Sequence, residues 1–253
     1  MARRCARITF LLLATLTGSA VLAQDAVKNS DTVDLSNGIT ATSNEALTAQ
    51  MRVNDAVAVI NRMKDDPQVS ELLENARGLL IVPHFTKAAL VFGGGRGAGM
   101  LVLRQGDHWN GPAFYNTSGG SVGVQLGGAR GGLVMILMSD KAVSTFQRSA
   151  SSWSLNLGAG LTAVNYTKEA REPRAHSDVV VWSDVKGLFG GAAVGATNVA
   201  RDQKTNQVYY NSLDVTTQQI LSGAVSSSAA DTLRHVLRAQ IKQSTAAVKT
   251  ASP

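Results

Sequence analysis

From Gly78 onward the chain is a series of short apolar runs cut by glycine, and this pattern leaves few folds open. The runs LLIVP (79–83), AALVFGG (88–94), GMLVLR (99–104), SVGVQLGG (121–128), GLVMILM (132–138), WSLNLGAG (153–160), LTAVNY (161–166) and DVVVWS (178–183) are each of strand length. Aliphatic and β-branched residues outnumber charged ones in all of them. Short links cannot hold the dozen-residue crossovers that parallel pairing needs, so antiparallel pairing is expected. Glycine inside such strands permits strong curvature.

Helical patterns flank this region. Leu47, Met51, Val53, Val57, Ile60 and Met63 recur at three- and four-residue steps behind a cap at Ser43 or Asn44. Asp66-Pro67 reads as a cap and first helical position for a second helix carrying Val69, Leu72 and Leu73. Residues 139–148 read as a short helix capped by Ser139. The stretch SSSAADTLRHVLRAQIKQ gives a last helix, with Ser228 and Asp231 at capping-box spacing. Its apolar stripe is Leu233, Leu237 and Ile241, and its basic stripe is Arg234, Arg238 and Lys242. Phe92-Gly93-Gly94 and Arg104 are matched at the same offset by Phe189-Gly190-Gly191 and Arg201, each copy continuing into a polar turn and an aromatic end. The expected fold is therefore α+β: a strongly curved antiparallel sheet or barrel of two pseudo-repeated halves, with amphipathic helices at both termini.

Residues 1–23 have a basic start (Arg3, Arg4, Arg7), an apolar stretch and a small-residue end, the parts of a secretory signal. Cys5, the one cysteine, lies within it, so the expected mature chain has no disulfide and no thiol chemistry. Three of the 24 Lys and Arg leave with the signal and none of the 18 Asp and Glu, so the net charge falls from +6 to +3. That balance does not support a nucleic-acid binder. The expected organisation is a signal over 1–23, a polar leader over 24–42, one domain over 43–245 and a tail over 246–253, exported to the periplasm, the cell envelope or the medium.

Catalytic motifs fail on context. Gly93-x-Gly95-x-x-Ala98 is followed by a strand where a dinucleotide fingerprint needs a helix, so no cofactor is expected. Gly119-x-Ser121-x-Gly123 spells a hydrolase elbow, but it too runs into a strand, and an esterase using Ser121 stays a rival reading only. His84, His108, His176 and His235 are scattered without metal-ligand spacing.

The ordered motifs ARGLLIVPHFTKAALVFGGGRGAGMLV (76–102), Trp109-x-x-Pro112, GGSVGVQLGG (119–128), KGLFGG (186–191) and NQVYYN (206–211) closely resemble the Ysc84-like SYLF domain family over about Met63 to Ile241. The resemblance implies a non-enzymatic lipid-binding domain. Eukaryotic members bind phosphoinositides, some also actin, and the bacterial relatives are exported lipid binders. This chain departs at Asn110-Gly111 within the Trp motif. It departs again at Gly131-Gly132, where the family has an acidic position, and around Ser183, Lys186 and Gly187. The expected ligand is anionic phospholipid at a membrane surface. Phe92, Trp109 and Phe189 are expected at the apolar contact, and Arg96, Arg104, Lys186, Arg201, Lys204, Arg234, Arg238 and Lys242 at phosphate. Actin is not carried over to an exported chain, the oligomeric state is left open, and a protein-interaction module is the other rival.

Overall fold

The computed structural model describes residues 35–89, 92–122, 127–148, 152–154, 161–166, 177–185 and 197–239. Helices α1 (Leu35–Met63) and α2 (Pro67–Asn75) precede four long strands, β1 (Gly78–Ala89), β2 (Phe92–Gln105), β3 (His108–Val122) and β4 (Gly127–Leu137). Then come α3 (Asp140–Arg148), β5 (Ser152–Ser154), β6 (Ala163–Asn165), β7 (Val179–Ser183) and β8 (Thr197–Arg201). The described chain closes with α4 (Gln203–Tyr210), α5 (Thr217–Ser222), a 3₁₀ turn (Ser228–Ala230) and a helix over residues 231–239, α6. The fold is α+β as expected, a curled half-barrel sheet with helices at both ends.

The strand order is β5-β8-β3-β2-β1-β4-β7-β6. All pairings are antiparallel except β6 with β7, which is parallel. The antiparallel expectation fails there because the link between those strands, 166–178, is long enough for a crossover. The predicted run at 79–83 and the start of that at 88–94 lie in β1, and the end of the latter and the run at 99–104 lie in β2. The glycines between them are strand interior and not turns.

Both faces of the sheet are covered, which is why the strands read as continuous apolar runs. Leu79 and Ile81 of β1, Met100 and Val102 of β2 and Val134 and Ile136 of β4 pack against Val53, Val59, Ile60 and Met63 of α1, Leu73 of α2 and Leu233 and Leu237 of α6. The alternate residues Leu80, Leu101, Leu103, Met135 and Leu137 meet Phe146 of α3 and Ile220 and Leu221 of α5. The register of β1 shifts between Ile81 and Phe85, where Pro83 could not serve a regular ladder, so Phe85 joins the second face.

Asp66 caps α2 by accepting from Gln68 N, and Ser139 Oγ accepts from Ala142 N at the start of α3, both as the sequence predicts. The first helix begins at Leu35, eight residues before the expected Ser43 cap, because extending a helix nucleated by its buried turns costs far less than starting one. At the last helix the expected Ser228/Asp231 box is replaced by Ser227, whose hydroxyl accepts from Ala229 N, while the Asp231 carboxylate takes Arg234 at 2.5 Å. The two glycine-rich copies also diverge. Arg104 runs through the Gly106-Asp107 turn into β3, whereas Arg201 runs into α4, capped by Asp202.

Candidate lipid-facing surface

The registers of the central strands set one polar row across the sheet. Thr86 of β1 pairs with Arg96 of β2 on one side and with Arg130 of β4 on the other. Arg96 pairs in turn with Ser118 of β3, and Ser118 with Asn198 of β8. Registered partners share a face, so these five side chains stand together. Arg96 and Arg130 are separated by one strand, which places their Cα atoms ~10 Å apart at the usual inter-strand spacing. Both are exposed, and neither has a hydrogen bond or ion pair among the described residues.

The row lies on the α1 side of the sheet, two and four residues in register from Ala98 and Met100. Asp55 of α1 holds His84 Nε2 at 2.9 Å, Val59 packs over Gly132, and Arg62 Nε donates to Asp184 at 2.7 Å. The helix thus crosses the strands just before the row, and the residues beyond it are small: Ala88 pairs with Gly94 and Gly128, and Gly94 with Gly120. A low floor with two cations rising from it can admit a phosphate-sized group close to the backbone.

The glycines of β2 are needed on the opposite face. A Cβ on Gly95 would overlap the Phe85 ring, and one on Gly97 would overlap Val82. The glycine run therefore lets side chains of β1 lie across β2, and its motif has no helix after it to meet a nucleotide. Gly131 fits the same logic: Asp184 Oδ1 fills the space that a side chain there would occupy and accepts from Gly132 N at 2.6 Å.

The other expected contacts divide. Trp109 is 2 % exposed and belongs to the core under α1 and α6, so it offers nothing to a surface. Arg104 donates from Nε to Gly106 O at 2.8 Å and from Nη1 to the Glu74 carbonyl. Arg201 donates to Gln147 O at 3.1 Å. Arg234 clamps Gly111 O at 3.1 Å and Ser227 O at 2.8 Å, and Arg238 meets His108 Nδ1 at 2.7 Å. Of the basic stripe, Arg234 is half-buried and tied to the fold, while Arg238 is exposed and meets only His108 among the described residues. Lys204 is exposed but paired with Glu45 at 2.6 Å, which raises its pKa through that hydrogen bond and charge. The Phe92 side chain, Lys186, Phe189 and Lys242 lie outside the described residues, as does the Ser121 side chain. Two carboxylates that an esterase reading would need free are engaged: Asp140 accepts from Arg77, and Asp178 accepts from Ser139 and Thr162.

Arg130 is not among the cations expected from sequence, although its signal is present: GGRG (94–97) and GARG (128–131) each set an arginine among glycines inside a strand. Leu47 and Met51, four residues apart on α1, are exposed at 62 % and 57 % and stand as apolar groups at the surface.

Residues 118–240 match the family model described as Ysc84, a Las17-binding protein actin regulator. Over this segment the chain is similar to the Ysc84 family. The chain is 33% identical over 176 residues to an SH3 domain-containing protein of Schizosaccharomyces pombe, covering 67% of this chain and 40% of that protein. It is 29% identical over 175 residues to Protein YSC84 of Saccharomyces cerevisiae, covering 67% and 37%. It is 29% identical over 160 residues to human SH3 domain-containing YSC84-like protein 1, covering 61% and 45%. The chain thus spans less than half the length of these relatives, all three of them eukaryotic. No solved structure matches it.

Proposed function

We propose that this Ysc84-type chain is a non-enzymatic binder of anionic phospholipid, with Arg96 and Arg130 taking the headgroup phosphate. The observation that carries the reading is the exposed pair of arginines flanking Thr86 over a floor of glycine and alanine. Leu47 and Met51 supply apolar contact in place of the buried Trp109. The signal-like residues 1–23 support export to the periplasm or envelope. In that compartment the actin regulation named for the family has no partner.

The test is co-sedimentation of the purified chain with phosphatidylcholine vesicles, with and without phosphatidylglycerol, at low and high salt. Each arginine near an anionic surface contributes ~1 kcal/mol, so Arg96→Gln with Arg130→Gln should weaken vesicle binding about thirtyfold. Salt should weaken the parent in the same direction. Pelleting that ignores lipid charge, salt and both substitutions overturns the reading and favours a protein-docking module.

A further inference from the structure

The end of the sheet opposite the glycine rows is hollow. A cleft of about 710 Å3 opens where α2 ends, β1 and β7 begin and β2 and β4 end, with Glu74, Arg77, Arg104, Gly106, Ser139 and Asp178 in its wall. That volume lies in the range of small-molecule sites, ~300–1,000 Å3, and the wall is mostly charged and polar.

Arg77 and Arg104 are direct neighbours across the ladder, since Arg104 N donates to Arg77 O at 2.9 Å beside the Gly78–Leu103 pair. Like charges so placed repel. The carboxylate partner of Arg77 is Asp140, whose side chain is 82% exposed, and such a pair contributes little. Arg104 has no carboxylate partner among the described residues. Its guanidinium is fixed by two neutral carbonyls, Gly106 O and Glu74 O, which orient it without discharging it.

The acids of the wall differ from one another. Asp178 is saturated: Oδ1 accepts from Ser139 Oγ at 2.5 Å, and Oδ2 accepts from Thr162 N at 2.9 Å and Thr162 Oγ1 at 3.0 Å. The Glu74 carboxyl has no hydrogen-bond partner among the described residues. Burial and the nearby Glu71 raise its pKa against the pull of Arg104. A lone anion would leave Glu74 facing like charge, and a lone cation would leave Arg104 with no carboxylate.

We propose that this cleft binds a small zwitterion, an α-amino acid or short peptide, with its carboxylate at Arg77 and Arg104 and its ammonium at Glu74. The site is separate from the Arg96/Arg130 row and does not depend on it.

Calorimetric titration of the purified full chain tests it, using the proteinogenic L-α-amino acids and Ala-Ala, with acetate, methylamine and inorganic phosphate as partial ligands. At least one zwitterion should saturate one site and bind about tenfold or more tighter than acetate or methylamine, since each partial ligand forfeits one charge-assisted contact. Arg104 also ties the fold, so Arg77→Gln and Glu74→Gln carry the test. Each should weaken that binding about tenfold, with unfolding still cooperative. Arg96→Gln with Arg130→Gln should bind as the parent does. Absence of binding by every zwitterion, phosphate or acetate binding as tightly as the best of them, or affinity unchanged in both variants overturns the proposal.

Discussion

Asn206 gives both ends of its amide to the backbone of Phe114: Oδ1 accepts from Phe114 N at 2.8 Å, and Nδ2 donates to Phe114 O at 3.3 Å. The side chain is fully buried, so a residue of α4 occupies the ladder position that another strand would fill beside β3. Asp202 N also reaches Phe114 O, at 3.0 Å, and the Asp202 carboxylate holds Arg52 of α1 at 3.4 Å. Arg52 in turn lies over the Phe114 ring, 5.4 Å from its centroid. One aromatic residue of β3 thereby joins α1, α4 and the sheet.

Asn206→Ala should lower the urea midpoint. The Phe114 carbonyl keeps Asp202 N as a donor, but the Phe114 N–H loses its acceptor inside the protein, a cost of about 1–3 kcal/mol before any cavity is counted. Asn206→Asp keeps an acceptor in place and should recover part of the loss. Equal midpoints for parent and Asn206→Ala would contradict the docking role.

Gly95→Ala should be destabilising despite its strand setting, because the added methyl overlaps the Phe85 ring. Overpacking of this kind costs about 1–3 kcal/mol, read as a lower thermal midpoint. Pairing it with Phe85→Leu removes the clash, so the double variant should lose less than the two single losses combined.

Whether an element is legible in the sequence depends on what its residues face. The α2 and α3 caps were visible because Asp66 and Ser139 act within their own turns. The long strands β1 and β4 were visible because both their faces are apolar. β3 was not, since HWNGPAFYNTSGGSV mixes Asn, Gly and Pro with apolar residues, and its strand state depends on β2 and β8 on either side. The helix α4 was hidden for a related reason. QKTNQVYY reads as polar, and Asn206 is buried only because Phe114 lies opposite it. Arginines were the least readable group: sequence names Arg96 in a glycine-rich strand and Arg234 on a basic helical stripe as phosphate ligands alike, but only register and contacts show the first exposed without a partner among the described residues and the second clamped on Gly111 O.

Asp178 predicts an acid response. Burial alone would raise its pKa, but hydrogen bonds from Ser139 and from the Thr162 N–H and hydroxyl, with the Lys141 charge, overcome this and hold it below the usual carboxylate value. A folded pKa lowered in this way gives stability that is present above the unfolded value, near 4, and is lost as pH falls through the folded value. Asp178→Asn should therefore be less stable than the parent at neutral pH, and the gap should close in acid. Unfolding midpoints measured from pH 7 down to about 2.5 check this, and a gap that persists throughout would assign the loss to packing.

Glu74 predicts the reverse slope. Burial and Glu71 raise its pKa, so ionisation at neutral pH works against the folded state. Glu74→Gln removes that penalty and should raise the midpoint at pH 7, with the difference fading below about pH 4, where the carboxyl is protonated folded or unfolded. A substitution that stabilises the chain while weakening zwitterion binding would mark Glu74 as held at a cost to stability for its ligand. A lower midpoint at pH 7 would instead make it a structural carboxylate and remove the cleft's acceptor for an ammonium group.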